Sequence, residues 1–253
     1  MTGDDHMLAR DLAGQAGTRL LELRALGGDP DVLRKAGDRL SHEFLTAALA
    51  DARPGDVVLS EEGADNPARL TARRVWIVDP LDGTREFGEP GRTDWAVHVA
   101  LWESDTRDLT AGAVALPAQG TVLSTLEPPP GPPGDAAAAP LRIVVSRSRP
   151  PSFVRDISGL INAELVPLGS AGAKVAAVVC GEVDAYVHGG GFYEWDTAAP
   201  VAVARAAGLH ASRIDGSALA YNQPDLLMPD ILVCRPAVAG TLLQAIREVT
   251  NAP

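Results

Sequence analysis

Residues 76–87 read Trp76-Ile77-Val78-Asp79-Pro80-Leu81-Asp82-Gly83-Thr84-Arg85-Glu86-Phe87, and the order of residue types here governs the reading of the whole chain. An apolar run of strand character ends at Asp79. Pro80, with its fixed φ, and Gly83 suit a tight turn that sets Asp79 and Asp82 on adjoining corners, with the Thr84 hydroxyl just behind. Like charges so close repel, so something must neutralise them or use them. A hard cation such as Mg²⁺ takes oxygen ligands, and Asp79, Asp82 and the Leu81 carbonyl are all available from one turn. Gly83 would let a phosphate approach the backbone, and a helix starting near Thr84 would turn free N–H groups toward it. The same D-P-x-D-G pattern also suits an ordinary turn with an Asp helix cap.

Two further acidic groups stand at comparable places. Glu61 and Glu62 follow the strand-like Val57–Ser60, and pairing of that strand with its neighbour would bring Glu61 beside Asp79. Asp196, in the stretch GGGFYEWDTAA, heads an alanine-rich helix. Singly, a solvated loop and an N-cap would explain them. Three acidic groups, each at the end of a strand or the start of a helix, favour one common site.

Outward from these motifs the elements fall in order. Leu8, Leu12, Ala16, Leu20 and Leu23 recur at helical spacing, giving an amphipathic helix over about 5–26 that Gly27, Gly28 and Pro30 end. A second helix covers about 35–52, with Leu40, Phe44, Leu45 and Leu49 facing inward. Strands follow at 57–60, 74–78, 95–102, 110–116 and 121–126. Residues 127–140, EPPPGPPGDAAAAP, hold six of the 20 prolines and read as an exposed linker. Beyond it, strand and helix alternate. The expected organisation is therefore an N-terminal α+β lobe (1–126), a linker (127–140) and a C-terminal α/β lobe (141–253).

Composition bounds the function. The chain has 253 residues and a net charge of −11, which speaks against a nucleic acid or an anionic membrane as partner. A small phosphorylated ligand is not excluded, because bound cations invert the local potential. No apolar run approaches the roughly 20 residues needed to span a bilayer, and the N-terminus has no signal-peptide character, so a soluble cytoplasmic protein is expected. Cys180 and Cys234 read as buried free thiols. Among the 22 basic residues only Lys35 and Lys174 are lysines, and a lysine kept in such a background can serve as a compact point charge. His6, His42, His98, His188 and His210 are scattered without zinc-site spacing. GSAGAK lacks the P-loop pattern, and no G-x-S-x-G is present.

DPLDGT resembles the D-P-[IL]-D-[GS]-T signature, and EWDTAA the W-D-x-A-[AG] signature, of the Mg²⁺-dependent, Li⁺-sensitive phosphatases related to inositol monophosphatase. SEE resembles the Glu-Glu pair that precedes them, and the order fits along nearly the whole chain. The resemblance implies a layered α/β/α/β/α sandwich with its site in the cleft, and two or three Mg²⁺ ions. Glu61, Asp79 and the Leu81 carbonyl would hold the ion that activates water, with Glu61 counted among the catalytic groups. Asp79, Asp82 and Asp196 would hold a second, and Glu62 a weaker third. Thr84, with an upstream Asp, would orient the attacking water. Asp38 matches that Asp best, because LSHEFL follows it, although the usual D-x-S-P-V-T element is missing; Lys35 stands near the place of the family's lysine. Pro200 occupies a position where a small residue is usual and is expected in the first turn of its helix.

The second lobe is similar to the 3′(2′),5′-bisphosphate nucleotidase (CysQ-type) branch, on VVSRSR (144–149), PLGSAGAK (167–174) and LAYNQPDLLMPD (219–230). The resemblance places Gly83, Thr84, Ser146, Arg147, Ser170, Lys174 and Asp196 around the substrate. Arg147 also reads as an ordinary solvated arginine, and Lys174 as a lysine with its stem along the surface. Gly189 stands where inositol phosphatases carry a sugar-binding acid. The implied activity is hydrolysis of 3′-phosphoadenosine 5′-phosphate to AMP and phosphate, with the sulfated analogue as a further substrate and a link to sulfate assimilation. An inositol or fructose-1,6-bisphosphate phosphatase on the same fold, and a non-catalytic metal and nucleotide sensor, are the alternatives. A monomer or a homodimer is expected.

Overall fold

The computed structural model describes residues 2–131, 140–148 and 150–250. Two long helices, α1 (Thr2–Ala25) and α2 (Pro30–Ala52), precede a five-stranded sheet. Its strands β1 (Val57–Ser60), β2 (Arg74–Asp82), β3 (Ala96–Glu103), β4 (Asp108–Leu116) and β5 (Thr121–Ser124) lie in sequence order, the first pair parallel and the rest antiparallel. A single turn of helix, α3 (Thr84–Gly88), follows β2.

The second half builds β6 (Arg142–Ser146), α4 (Ser152–Ile161), β7 (Glu164–Leu168), α5 (Ala171–Val179), β8 (Ala185–His188), β9 (Phe192–Tyr193), α6 (Glu194–Ala206), β10 (His210–Ser212), β11 (Leu227–Met228), β12 (Ile231–Cys234) and α7 (Pro236–Thr250). Its main sheet has the order β10-β12-β8-β6-β7, parallel only across β8-β6-β7, and β9 pairs separately with β11.

The period of two along β2 divides the core. Trp76 and Val78 face a cluster with Leu12, Leu20, Leu45 and Leu49 of the first two helices. Val75 and Ile77 face the opposite way, into a cluster shared with α5, α6 and the inner face of the second sheet. A third cluster lies between that sheet's outer face and α4 and α7. The result is the expected five-layer α/β/α/β/α sandwich. The alanines of α6 have a packing reason: a Cβ on Gly112 of β4 would lie 2.8 Å from the Ala202 methyl.

Several local expectations change. Pro80 is not the corner of a turn. The strand continues through it to Asp82 with a bulge, since Asp79 pairs with His98 and Asp82 with Ala96, leaving two residues opposite one. A bulge is where a sheet tolerates the missing N–H of proline. Pro30 does not end the first helix but opens the second, capped by the Asp29 carboxylate, which accepts from Asp31 and Val32 N–H. The buried seam of α2 is Leu33, Gly37, Ser41, Leu45 and Leu49, with Leu40 only half-buried. Pro200 lies in the second turn of α6, not its first. Cys234 is buried, but Cys180, beyond the end of α5, is exposed. Most of the proline-rich linker (132–139) and Arg149 lie outside the described residues. Among the described residues no helix is long and apolar enough to cross a membrane.

Candidate active site

The bulge in β2 brings two carboxylates, Asp79 and Asp82, to one place while giving each its own partners. Asp79, 1% exposed, has its Oδ1 accepting from Leu81 N–H at 3.0 Å, while among the described residues no donor reaches Oδ2. Asp82 turns toward the other half of the chain and accepts from the N–H groups of Ala171 (3.1 Å) and Gly172 (2.6 Å) at the start of α5. Glu61 prolongs the β1–β2 pairing, its N–H donating to Val78 O at 3.3 Å, and its carboxyl is near enough to Asp79 for each to alter the other's protonation. Asp196, in the first turn of α6, accepts from Tyr193 N–H at 2.6 Å.

These carboxylates feel one another. Burial and then the charges of Glu61, Asp82 and Asp196 drive Asp79 well above the ordinary carboxylate range. Glu61 is exposed as a residue, yet partial desolvation of its carboxyl, with Asp196, Asp82 and Glu62 nearby, lifts it to about 7, and burial with Asp82 lifts Asp196 to about 6. Asp82 behaves oppositely: burial raises it, but His98, Lys174 and the Gly172 amide outweigh burial and hold it low. An acidic group built on buried Asp79 and Asp82, with an orphaned oxygen and raised carboxyls, is what a divalent cation relieves, and the donor set is all oxygen apart from His98. Asp79, Asp82 and His98 offer ligand atoms within 4.8 Å of one another.

The expected water-orienting pair is adjacent. Thr84 Oγ1 lies 3.1 Å from Asp38 Oδ1 and 3.0 Å from the Leu81 carbonyl. Asp38 reaches it from α2 because Gly37 packs against Leu81 and Phe87: a Cβ there would come within 2.9 Å and 2.8 Å of them. Burial, and then Glu62, raise Asp38 to about 6. Glu62 is exposed at the rim.

Beyond the carboxylates opens a cavity of about 530 Å³ lined by Asp82, Gly83, Ser146, Ser170, Lys174 and Asp196, among others. Gly83 needs its left-handed φ of 84°, and a Cβ there would meet Ser170 Cβ at 2.9 Å. Ser170 caps α5, its Oγ accepting from Ala173 N–H. Lys174 is 5% exposed, and its ammonium donates to the Gly169 and Ser170 carbonyls 5.3 Å from the centre of the Tyr186 ring. Its charge lies under the cavity wall rather than along the surface. Arg147 is not among the lining residues; it donates to Glu86 (2.7 Å) and Glu89 (3.1 Å). Lys35 is exposed on α2.

Sequence reasoning missed His98. It is fully buried on β3, with Nε2 3.2 Å from Asp82 Oδ2 and Nδ1 3.1 Å from the Trp195 carbonyl, so it links two of the acidic segments. Its signal was a lone polar residue inside the apolar run AVHVAL. A second missed group fixes the start of α6. Buried Glu194 accepts from Asn222 (2.6 Å) and Gln223 (2.7 Å) N–H, and Arg69 ties Asn222 and Gln223 to Asp65 in the loop after Glu62.

Comparison with known proteins gives a consistent picture. The model of the inositol monophosphatase family matches residues 22–251. A protein of Mycobacterium leprae strain TN described as 3′-phosphoadenosine 5′-phosphate phosphatase is 52% identical, over 97% of this chain and 94% of its own. The crystal structure of CysQ from Bacteroides thetaiotaomicron superposes with a TM-score of 0.76 at 29% identity, over 92% of this chain and 97% of that one. Inositol monophosphatase II from Staphylococcus aureus MSSA476 gives 0.80 at 21% identity, over 93% and 92%, a likeness of fold.

Proposed function

The chain belongs to the inositol monophosphatase family of metal-dependent phosphoric monoester hydrolases, and on that premise we propose that it hydrolyses 3′-phosphoadenosine 5′-phosphate to AMP and phosphate with Mg²⁺. The observation that carries the reading is the Thr84–Asp38 hydrogen bond beside the convergent carboxylates Glu61, Asp79, Asp82 and Asp196. The M. leprae relative supports the choice of ester. A sulfated analogue would fit the same pocket, and such an activity serves sulfate assimilation.

Glu61, Asp79 and the Leu81 carbonyl would hold one Mg²⁺. Asp79, Asp82 and Asp196 would hold a second, and Glu62 a weaker third. When bound, the ions supply Lewis acidity toward water and the phosphate oxygens. The chain's own groups do the rest by positioning. Thr84 donates to Asp38, which leaves its oxygen lone pairs to accept a hydrogen bond from water and so orient it for attack. Asp38, with its carboxyl at about 6, is ionised for that task at neutral pH. Gly83 opens space beside Ser170 for the phosphate, and Lys174 contributes positive charge from beneath. Ser146 borders the remainder of the ligand. The division at residues 126 and 141 fits this scheme, the first lobe giving Asp38, Glu61, Asp79 and Thr84 and the second Asp196 and the pocket wall.

Phosphate release from 3′-phosphoadenosine 5′-phosphate, inositol 1-phosphate and fructose 1,6-bisphosphate, with Mg²⁺ or EDTA, tests the reading. The expected result is a kcat/KM highest for the nucleotide and abolished by EDTA. A preference for either sugar ester would move the chain to another activity of the fold, and no release from any would mark a sensor.

A further inference from the structure

The 530 Å³ cavity has two unlike ends. One carries Asp82, Glu86, Lys174 and Asp196. The other is formed by Phe153, in the first turn of α4, and by the strip Gly189-Gly190-Gly191, with Ser148, Ser152 and His188 also on the wall, and among the described residues no acid, lysine or arginine lines it. The ring and the strip are fitted to each other. A Cβ on Gly189 would stand 2.7 Å from Phe153 Cε1, so only a bare backbone lets the ring lie there. Gly190, at φ 99°, has equally little room, since a Cβ would meet the Pro229 carbonyl at 2.2 Å. Phe153 is half-buried, packed on one side against the outer core and bordering the cavity on the other.

We infer that Phe153, lying on this glycine strip, is the residue that recognises the substrate's base, a specificity determinant that rests on the nucleotidase reading above. A polyol brought to this end would find hydrogen-bond partners in Ser148, Ser152 and the glycine peptides but would make no use of the Phe153 ring. A planar nucleobase offers a π-face to the ring instead. Removing an aromatic side chain that stacks on a base weakens binding by about five- to hundredfold.

The test uses the full chain with Phe153→Ala, Phe153→Leu and Phe153→Tyr. Leu keeps the apolar packing against α4's core but has no ring, so a folding defect is separated from loss of stacking. Two quantities are read: AMP binding by calorimetry, and the ratio of kcat/KM for 3′-phosphoadenosine 5′-phosphate to that for ribose 3,5-bisphosphate, which lacks the base. Ala and Leu should weaken AMP binding about five- to hundredfold and lower the ratio similarly, chiefly through KM for the nucleotide, while Tyr restores both. If AMP binding and the ratio are the same in Leu as in the unaltered chain, the inference is overturned, though nucleotide hydrolysis would stand. If the unaltered chain binds AMP through Phe153 but does not hydrolyse the bisphosphate, the nucleotidase reading fails and the base contact survives. An unaltered chain that binds no AMP overturns the base contact as well.

Discussion

Asp79 is a carboxylate with one oxygen that no donor among the described residues reaches, its protonation raised by three nearby carboxyls, and either a cation or a proton must relieve it. Without metal, folding forces protons onto Asp79, Glu61 and Asp196, whose carboxyls are raised. The folded chain then binds more protons than the unfolded one above about pH 4, so that stabilising contribution is full below the unfolded carboxyl range and lost as pH climbs. Metal-free protein should therefore melt at progressively lower temperature from about pH 4 to 7, and saturating Mg²⁺ should flatten that slope; a slope of opposite sign in EDTA would refute the electrostatics. Thr84→Ala removes the hydroxyl next to Asp38 and should lower kcat by roughly 10²-fold or more with little change in KM, within the range for a lost positioning contact. An unchanged kcat would end its assigned part. DPLDGT and EWD announced these residues because short motifs keep their chemistry adjacent. His98 and the Arg147–Glu86 pair stayed hidden because their partners lie many residues away along the chain.

The junction between α2 and β2 is where an element's placement becomes chemistry. Helical periodicity located α2, yet the Gly-Gly-Asp-Pro stretch concealed its start, since proline stops one helix as readily as it opens the next. The strand at 74–78 was legible as an apolar run, but its continuation past Pro80 was not, because a bulge is defined by the partner strand rather than by local residue types. Gly37 is the hinge of this contact, holding Asp38 near Thr84 through close approach to Leu81 and Phe87. Gly37→Ala should cost about 1–3 kcal/mol in urea unfolding, from overpacking, and should lower kcat by shifting Asp38. If stability falls while kcat holds, the α2 position matters for packing alone.

Across the whole molecule, one apolar cluster joins both sheets through α5 and α6, so carboxylates on β2 and α6 are held in a fixed relation by the middle layer. The alternation of strands and helices pointed to an α/β second lobe, while the layer order was what the resemblance of DPLDGT and EWDTAA to their family implied. Which faces met, and that Asp82 would accept from the start of α5, depended on packing between segments nearly 90 residues apart. Anomalous diffraction from crystals of the full chain soaked in Mn²⁺, a stand-in for Mg²⁺, addresses the central claim most directly. The account predicts a peak bounded by Glu61, Asp79 and the Leu81 carbonyl, and a second reaching Asp82 and Asp196, the latter lost in Asp196→Asn. Manganese bound elsewhere, or absent from this group of carboxylates, would contradict it.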